Sequence, residues 1–571
     1  MKTKKWLSSL LIATTCFSVA GTLVGCGSDK DDKKEPTANK DENQFLKLIL
    51  IEPQTLDPNE AADMDTFTAL AAVQEGLFRS QRTEDGQEKI VYAAAKEHTV
   101  SDDGLVWTFK LRDMKWSDGK EVTAQHFVDS IIRLLDKDKA FPYAYFAYDI
   151  KNAKEYNLGK AKAEDVAVKA KDDKTLEITL ANPTPHFQKK LIMAAFYPIR
   201  LDIIEKGGDN WSTDISKQVY CGPYTIKEWT NKNSITYEKN PNYWDKENVF
   251  INTVYMNAMQ EFSTQAQLFE TQQLDVTGSQ QEYVEKWTKA AEEGKWKFQK
   301  EDAPASDYFG FNMKTGGPSG VMKNQKIRKA LSLAFDREEF LKVLYARHTP
   351  SYGVIPKAIT SNGKEFRKEV PEPLKEDYDK YKGNKDKLQE LFKEGLKELG
   401  KDTNNLKDIK IKYITSAKST YDSQIQEWLK NQFEKNLGIT FDIEIFGDSK
   451  LYRNARKELK YDMIWLGWVG DFNDPLTFLE IWESTGGTNF NGFSNKEYDD
   501  ILAKLNGELD EGKRFEHYKK LESILVKEEV AIAPIMYGDN RRFIQSYVKN
   551  MQYPLFGPTY EWRWAYTEGR P

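Results

Sequence analysis

The sequence predicts an α/β protein with more than one domain and with mixed sheets. Its 571 residues exceed the usual size of one domain, so we expect several cores or a domain assembled from distant segments. Helical and strand-like segments alternate between residues 385 and 470, which is typical of a partly parallel sheet. Aromatic residues make up 13% of the chain, which is enough to fill such cores and to line a binding cleft.

The amino terminus has the organisation of an export signal. Residues 1–5 are basic, and an uncharged run of apolar and small residues follows as far as Gly25. The sequence Leu-Val-Gly before Cys26 resembles a bacterial lipobox. We therefore interpret residues 1–25 as a lipoprotein signal peptide and Cys26 as the lipidated residue. An ordinary secretory signal with an incidental cysteine is the alternative.

We predict that residues 26–44 form a disordered tether. This segment is rich in Lys, Asp, Glu and Asn and cannot bury enough apolar surface to fold. Two acyl chains on Cys26 would anchor the protein stably, because each buried methylene contributes about 0.8 kcal/mol. No later stretch reaches the roughly 18 uninterrupted apolar residues of a membrane span. We therefore expect an extracytoplasmic protein that is anchored to the cell membrane by lipid on Cys26.

Apolar spacing predicts the elements of the first half of the mature chain. Alternating or short apolar runs indicate strands, and apolar residues every three or four positions indicate helices. Thr123 precedes one such helix and suits its N-cap position. The predicted elements are a strand from Phe45, a helix at 63–79, a strand at 105–112, a helix at 122–136, a strand at 175–180, a hairpin at 221–240, a strand at 251–259 and a helix at 261–272.

The second half continues in the same way. A stretch rich in Lys, Glu and Pro, 357–385, is interpreted as exposed and linker-like. The predicted elements are strands at 307–314, 409–415, 438–446, 461–468 and 530–545 and helices at 327–345, 385–399, 419–436 and 514–527.

The stretch GWVGDFNDP, residues 467–475, places polar side chains directly behind the apolar run YDMIWL. Asn, Asp and Pro end strands by local hydrogen bonds or by a fixed φ, so the stretch can be a simple turn. A ligand site at the end of the strand is the other interpretation. Asp474 precedes Pro475 and a helical run, and we expect it to cap that helix.

Several classes of function lack support in the sequence. A net charge of −6 from 83 basic and 89 acidic residues argues against a nucleic-acid partner. Nucleotide-binding glycine motifs and the GxSxG nucleophile motif do not occur, and the five histidines lack metal-ligand spacing. We expect no enzyme activity, no cofactor and no metal site. An anchored hydrolase is the alternative from another class, because a pair of acid/base carboxylates leaves no motif.

Cysteine usage leaves little for covalent cross-linking. Cys16 lies in the signal peptide and Cys26 would be lipidated, so Cys221 remains alone in the mature chain. No intramolecular disulfide is possible there, and the fold must depend on its cores.

Eight blocks, in a fixed order from about residue 45 to 560, resemble one protein family. The blocks are TLDP (55–58), EGLF (75–78), WTFKLRDMKWSDGKEVTAQHFVDSIIRLLD (107–136), GPYTIKEW (222–229), YEKNPNYWD (237–245), IRKALSLAFDREEF (327–340), GWVGDFNDP (467–475) and APIMY (533–537). Together they resemble the extracytoplasmic solute-binding proteins of peptide ABC transporters, the oligopeptide and dipeptide binding family, also called solute-binding family 5.

This resemblance implies a two-lobed, periplasmic-binding-protein-like fold (type II, Venus flytrap) with an extra inserted domain. The implied domains are a split domain I at 45–65, 190–300 and 531–571, an inserted domain II at 66–189, and a second lobe, domain III, at 301–530. A ligand would bind between the lobes, which close over it by hinge motion. The implied function is capture of extended oligopeptides and their delivery to an ABC permease complex, and we expect a monomer.

The resemblance also implies the ligand-binding residues. The Asp471 carboxylate would pair with the α-ammonium of the peptide, and Gly467, Trp468 and Val469 would pair with its backbone, with the Trp468 ring as a cleft wall. Pro53 has no N–H, so pairing on the opposite lobe must differ from that of relatives without this proline. The other expected contacts are Glu52 and Gln54 on that lobe, Arg456 near the peptide carboxylate, and Tyr143 and Tyr145 from the inserted domain.

Other ligands stay open within the same family. Nickel, haem, glutathione and oligosaccharide binders are near alternatives, and Asp471 argues against those ligands that lack a free amine. A peptide-pheromone sensor would use the same cleft. The residue pattern does not specify the length of the ligand, its side chains or the partner permease.

Overall fold

The computed structural model describes residues 39–83, 86, 88–279, 281–344, 348–416, 420–486, 488–489 and 491–571. The predicted signal peptide, Cys26 and most of the tether lie outside these residues. The strands are β1 Phe45–Ile49, β2 Phe78–Arg82, β3 Glu88–Tyr92, β4 Ala95–Val100, β5 Val106–Leu111, β6 Val168–Asp172, β7 Thr175–Thr179, β8 Tyr224–Thr230, β9 Ser234–Lys239, β10 Thr253–Asn257, β11 Val276–Thr277, β12 Trp296–Phe311, β13 Thr349–Pro350, β14 Thr360–Ser361, β15 Lys364–Glu365, β16 Lys410–Thr415, β17 Thr440–Ile445, β18 Met463–Val469, β19 Ile532–Gln545, β20 Val548–Lys549 and β21 Tyr566–Thr567.

The α-helices are distributed between these strands, which confirms the α/β class. They are α1 Met64–Val73, α2 Ala124–Leu134, α3 Ala153–Asn157, α4 Phe187–Lys190, α5 Leu201–Gly207, α6 Phe262–Glu270, α7 Gln281–Glu292, α8 Gln325–Ala334, α9 Arg337–Leu344, α10 Phe366–Glu369, α11 Lys375–Tyr381, α12 Lys385–Glu398, α13 Thr420–Leu437, α14 Ser449–Lys457, α15 Leu476–Leu479, α16 Lys496–Leu505 and α17 Glu511–Ser523. Residues 40–571 form one compact unit, and the three domain boundaries stay a prediction.

The first sheet contains the strand β1 and packs against a residue near the carboxyl terminus. Its order is β1-β10-β9-β8, with β1 parallel to β10 and the other pairs antiparallel. The pair β8–β9 is the hairpin predicted at 221–240. Trp562, near the carboxyl terminus, packs against Tyr224 and Tyr237 with ring centroids 6.1 and 5.5 Å apart. The core of this sheet therefore contains residues from three distant segments of the chain.

A second, antiparallel sheet lies within the region predicted as the inserted domain. Its order is β4-β5-β7-β6, and α2 packs against β6 and β7. Thr123 is the N-cap of α2, as predicted, and its backbone N–H donates to His126 Nδ1 at 3.0 Å. Phe127 and Ile131 on this helix are fully buried, so its apolar spacing corresponds to its packed face.

The largest sheet has the order β11-β19-β12-β18-β16-β17, with β13 added beside β19. β16 is parallel to β17 and to β18, which confirms the partly parallel sheet expected in the second half of the chain. The two long strands, β12 and β19, are antiparallel neighbours in the interior of the strand order. Their register shifts between Asp302 and Ser306, next to Gly538, where an added Cβ would lie 3.0 Å from that of Ala305.

The prediction of a helix at 63–79 was wrong at the carboxyl end of that helix. α1 ends at Val73, and the backbone of Gln74 is extended, with φ −122° and ψ 170°. Leu77 instead accepts a hydrogen bond from the Ala93 N–H at 3.1 Å, and Phe78 begins β2. Both side chains are buried by strand pairing, although their spacing also matched a helix.

The helix predicted at 327–345 is two helices. Phe335, with ψ 114°, separates α8 from α9. The buried Arg337 guanidinium at the start of α9 donates to the carbonyl oxygens of Pro534 at 2.6 Å and Ser332 at 3.0 Å. Because these bonds need the chain to turn at 335–336, tertiary contacts explain the break.

The exposed linker predicted at 357–385 was also wrong. This segment contains β14, β15, α10 and α11. Ile359, Phe366, Leu374 and Tyr378 are each 0–1% exposed. Widely spaced large side chains enter the core here while the intervening Lys and Glu residues stay in solvent.

Two further properties concern membranes and metals. Within the described ranges, none of the helices combines the length and apolarity needed to cross a bilayer. The same residues contain no group of three or more His, Cys, Asp or Glu side chains placed to hold a metal ion. Cys221 lies within the described ranges, where it is buried and has a free thiol.

Candidate functional site

β18 carries the first part of GWVGDFNDP. Met463 and Ile464 at its start are fully buried, whereas Gly467 is exposed and Val469 is 45% exposed. Alternate side chains of a strand point to opposite faces, so Trp465, Gly467 and Val469 share one face of the sheet. Residues 467–469 therefore belong to a strand that emerges from the core, and the turn predicted there begins only at Gly470.

One edge of β18 lacks a strand partner over its last residues. On the other edge, β12 pairs with β18 along its whole length, from Phe311–Met463 to Ala305–Val469. In the part of the chain that the structure describes, β16 pairs with β18 only at Met463 and Ile464. Among the described residues, Gly467, Trp468 and Val469 pair with β12 alone, so we expect their backbone to accept an extended chain as an added strand.

Asp471 lies just beyond the end of this edge. Its carboxylate accepts a hydrogen bond from the Tyr143 hydroxyl at 2.8 Å, and its backbone N–H donates to Thr477 Oγ1 at 2.9 Å. The residue is 9% exposed, and burial raises the pKa of its carboxyl group to about 7, against the opposing effects of Tyr143 and Lys190. Within the described residues, the Asp471 carboxylate thus has a hydroxyl partner, whereas the nearby Lys190 forms its salt bridge with Asp149.

The two predicted tyrosines lie next to Asp471. Tyr143 and Tyr145 stack with ring centroids 5.9 Å apart, and Tyr143 also contacts Phe67 at 5.9 Å. Burial and the nearby Asp471 charge raise the pKa of the Tyr145 hydroxyl well above its usual value. The structure therefore brings together residues that are more than 320 positions apart in sequence, as the prediction for this site required.

The segment predicted on the opposite lobe is partly occupied by structural contacts. Glu52 accepts hydrogen bonds from Trp229 Nε1 at 3.0 Å and from the Lys232 N–H at 2.7 Å, in the hairpin β8–β9. The Gln54 N–H donates to Thr66 Oγ1 at 3.0 Å. The Glu52 side chain therefore holds the hairpin, and the Gln54 N–H holds the start of α1.

Arg456 lies in the last turn of α14, beside Tyr452 and Tyr461. Its charge lowers the pKa of both hydroxyl groups, although burial raises each of them more strongly. Trp465, on β18, donates from Nε1 to Asp307 at 3.2 Å. A role for Arg456 toward the peptide carboxylate stays a prediction.

Asp474 caps a helix, as predicted. Its Oδ1 accepts a hydrogen bond from the Leu476 N–H at 3.0 Å, at the start of α15. Its other oxygen lies 3.7 Å from the buried Arg514 guanidinium. Asp471 and Asp474 thus occupy different environments within the same loop.

Other charged groups near Asp471 were not identified from the sequence. Lys190 is buried, pairs with Asp149 at 2.9 Å and lies over the Phe146 and Phe472 rings. Burial raises the pKa of Glu480 to about 7, and the charge of Lys190 opposes that shift. No local motif marks Lys190, which precedes the apolar run 191–196, or Glu480, which lies within the run 476–482, and only the fold places them near Asp471.

A cavity opens beside Asp471. It has a volume of about 250 Å³ and is bounded partly by Lys189, whose Nζ donates to the Asn473 carbonyl oxygen at 2.5 Å. A second cavity of about 360 Å³ shares Glu88, Thr360 and Asn473 with the first. The first cavity is lined by Ser80, Glu88, Ile90, Lys189, Ile192, Met193, Thr360, Gly363, Asp471, Phe472, Asn473 and Phe556.

Comparison with known proteins gives a consistent picture. Residues 89–490 match the family model of the bacterial extracellular solute-binding proteins, family 5 (middle part). The chain is similar to the oligopeptide-binding protein OppA of Bacillus subtilis (strain 168), with 32% identity over 568 residues that cover 98% of each chain.

Two solved structures share the fold over nearly all of this chain. The substrate-binding domain of an oligopeptide ABC transporter from Bacillus anthracis str. Ames is 29% identical, with a TM-score of 0.78, and the match covers 93% of this chain and 100% of that one. OppA of Listeria monocytogenes, solved with a bound peptide, is 29% identical, with a TM-score of 0.76 and coverage of 92% and 99%. These similarities confirm the predicted two-lobed fold of the type II binding proteins.

Proposed function

Because the chain belongs to the bacterial extracellular solute-binding proteins of family 5, we propose that it is the peptide-binding subunit of an ABC importer. In this proposal it captures extended oligopeptides between its lobes and delivers them to a permease, without catalysing a reaction. The observation that carries the proposal is the end of β18 at residues 467–469, which pairs on one side only within the described part of the chain and lies just before the buried Asp471 carboxylate.

The free edge suits the parts that all peptides share. Backbone N–H and C=O groups of residues 467–469 would pair with a ligand backbone whatever its side chains are, because ladder hydrogen bonds do not involve side chains. The exposed Gly467 leaves room for ligand side chains on one face of the sheet. A receptor built in this way accepts many sequences of similar length.

Asp471 suits the other shared part, the α-ammonium group. A ligand that runs antiparallel to β18 has its amino terminus at the end of the strand where Asp471 lies. The ammonium group would add a charged partner to the Asp471 carboxylate, which accepts a hydrogen bond from the neutral Tyr143 hydroxyl. A charge pair in this poorly solvated position contributes more than an exposed pair does.

Native mass spectrometry of the protein purified from its own membrane tests the proposed function. We expect intact peptides to co-purify and to be released on unfolding, and we expect added peptides to be recovered uncleaved. The same spectra report the amino terminus, where loss of residues 1–25 and the mass of a diacylglyceryl group on Cys26 are expected. Cleaved products would show a hydrolase, and a co-purifying metal, haem or sugar would show another ligand class.

Peptide affinity should fall as the pH drops below 7. Burial raises the pKa of the Asp471 carboxyl group to about 7, and pairing with an ammonium group would lower it, so peptide binding at lower pH must release a proton. We expect the dissociation constant to rise by up to about tenfold per pH unit below 7. Calorimetry between pH 5.5 and 8 measures this dependence.

Asp471→Asn is the control for this pH dependence. Glu480 titrates in the same range, so the wild-type curve alone does not identify the group. We expect the variant to bind weakly and with little dependence on pH between 5.5 and 7. An unchanged pH dependence in the variant would assign the titration to another group and remove this support for Asp471.

A further inference from the structure

Asp307 is a carboxylate in β12, directly opposite Gly467 of β18. The Trp465 indole N–H donates to its Oδ1 at 3.2 Å, and burial raises the pKa of the carboxyl group to about 6. The alternation of side chains places Asp307 on the sheet face of Trp465, Gly467 and Val469. It therefore lies on the face that is exposed at the emerging end of β18.

No cation pairs with Asp307 among the residues that the structure describes. The ion pairs of this sheet involve other carboxylates, such as Glu301 with Arg542 at 2.7 Å and Asp539 with Arg541 at 2.9 Å. The neutral Trp465 indole is the donor recorded for Asp307. A mostly buried carboxylate without a counter-ion among the described residues is costly, so this position favours the binding of a cation.

Gly467 makes the carboxylate reachable from the free edge of β18. A Cβ added at Gly467 would lie only 2.5 Å from Asp307 Oδ1, so the carboxylate lies directly over Gly467, in space that any side chain there would take. Gly467 is exposed, and Val469, on the same face, is 45% exposed. A group that lies beside Gly467 on this face can therefore contact Asp307.

We propose that Asp307 is a specificity-determining residue that selects a lysine or arginine side chain on the ligand residue opposite Gly467. This inference rests on the proposed function, because it requires a peptide paired with the free edge of β18. Cβ atoms of directly opposite residues lie about 5 Å apart, so the long stem of lysine or arginine spans the remaining distance to Asp307. With ligand residue 1 opposite Val469, the selected residue is the third.

A set of matched peptides tests this inference. Each is an alanine pentapeptide with a free amino terminus, and it carries either lysine or the uncharged norleucine at one position. Binding to the wild-type protein, Asp307→Asn and Asp442→Asn is measured by calorimetry. The asparagine at 307 still accepts the Trp465 N–H, and Asp442, exposed on β17, controls for the loss of one charge in the same sheet.

We expect the wild-type protein to prefer lysine to norleucine at the third position by about tenfold or more, as for other close charge pairs. In Asp307→Asn this preference should fall below about threefold, while the affinity for the all-alanine peptide stays within about threefold of wild type. Asp442→Asn should keep the full preference. If the lysine preference occurs at another ligand position and Asp307→Asn removes it, the role of Asp307 is supported and only the register of the peptide on β18 changes.

Two results would overturn the inference. One is a wild-type protein without a lysine preference at any position, and the other is a preference that survives in Asp307→Asn. Asp307→Ala provides a second variant, and binding of the all-alanine peptide shows that each variant is folded. If none of the peptides, including the all-alanine one, bound the wild-type protein, the proposed function itself would fail and Asp307 would lose its role with it.

Discussion

Replacing Asp471 with alanine is expected to weaken binding of a peptide that has a free amino terminus by about 2–5 kcal/mol. The variant leaves the ligand ammonium group without its carboxylate in a poorly solvated position. Folding should be retained, because the Asp471 backbone N–H keeps its bond to Thr477 Oγ1 and only the Tyr143 hydroxyl loses an acceptor. Calorimetry with one defined peptide measures the loss.

An acetylated peptide separates the charge pair from other effects. Acetylation removes the ammonium group, so it should weaken binding to the wild-type protein but have little further effect on Asp471→Ala. Asp442→Ala, an exposed carboxylate of the same sheet, should bind both peptides as the wild type does. If acetylation costs the same affinity in the wild type and in Asp471→Ala, the ammonium group binds elsewhere.

Replacing Arg79 with methionine is expected to destabilise the protein by about 3–5 kcal/mol, because it leaves buried carboxylates without their cation. The Arg79 side chain is 3% exposed and pairs with Glu75 and Glu561, whose side chains are 0% and 6% exposed. It also donates to the carbonyl oxygens of Ala71 at 2.8 Å and Gln74 at 2.9 Å. This network joins the end of α1 to the carboxyl-terminal segment.

Urea unfolding followed by tryptophan fluorescence measures the effect of Arg79→Met. Lys496→Ala is the comparison, because it removes an exposed pair with Asp500 in which the lysine side chain is 85% exposed, and no measurable loss is expected there. A loss below about 1 kcal/mol in Arg79→Met would show that the two carboxylates are stabilised by their other donors. Tyr243 and Trp244, which both donate to Glu75, would then be the next residues to change.

Elements with a strong local pattern could be predicted from the sequence. The N-cap Thr123 before α2, the hairpin β8–β9 and the helix α12 all have apolar spacing or cap residues that agree with the packed structure. Prediction from local pattern failed where the same apolar spacing fits both a helix and a strand. Leu77 and Phe78 fit a helix as well as β2, and only pairing of this segment with residues 88–93 decided the outcome.

The candidate site shows the same division. The order YDMIWL then GWVGDFNDP placed a strand end beside polar residues, and the cap at Asp474 followed from its own neighbours. Asp307, Lys190 and Glu480 could not be identified, because each is an ordinary residue in its own segment and gains its character from burial beside distant groups. The energies of such burial depend on partners that no local window contains.

By itself, then, the sequence determined the α/β class, the order of most strands and helices, and a polar loop at the end of β18. The tertiary structure alone decided that Tyr143 donates to Asp471, that β16 pairs with β18 at Met463 and Ile464, and that Asp307 lies over Gly467. Periodicity and caps act over a few residues and are visible in any short window. Desolvation and strand pairing act between residues far apart in sequence, so they appear only when the chain is folded.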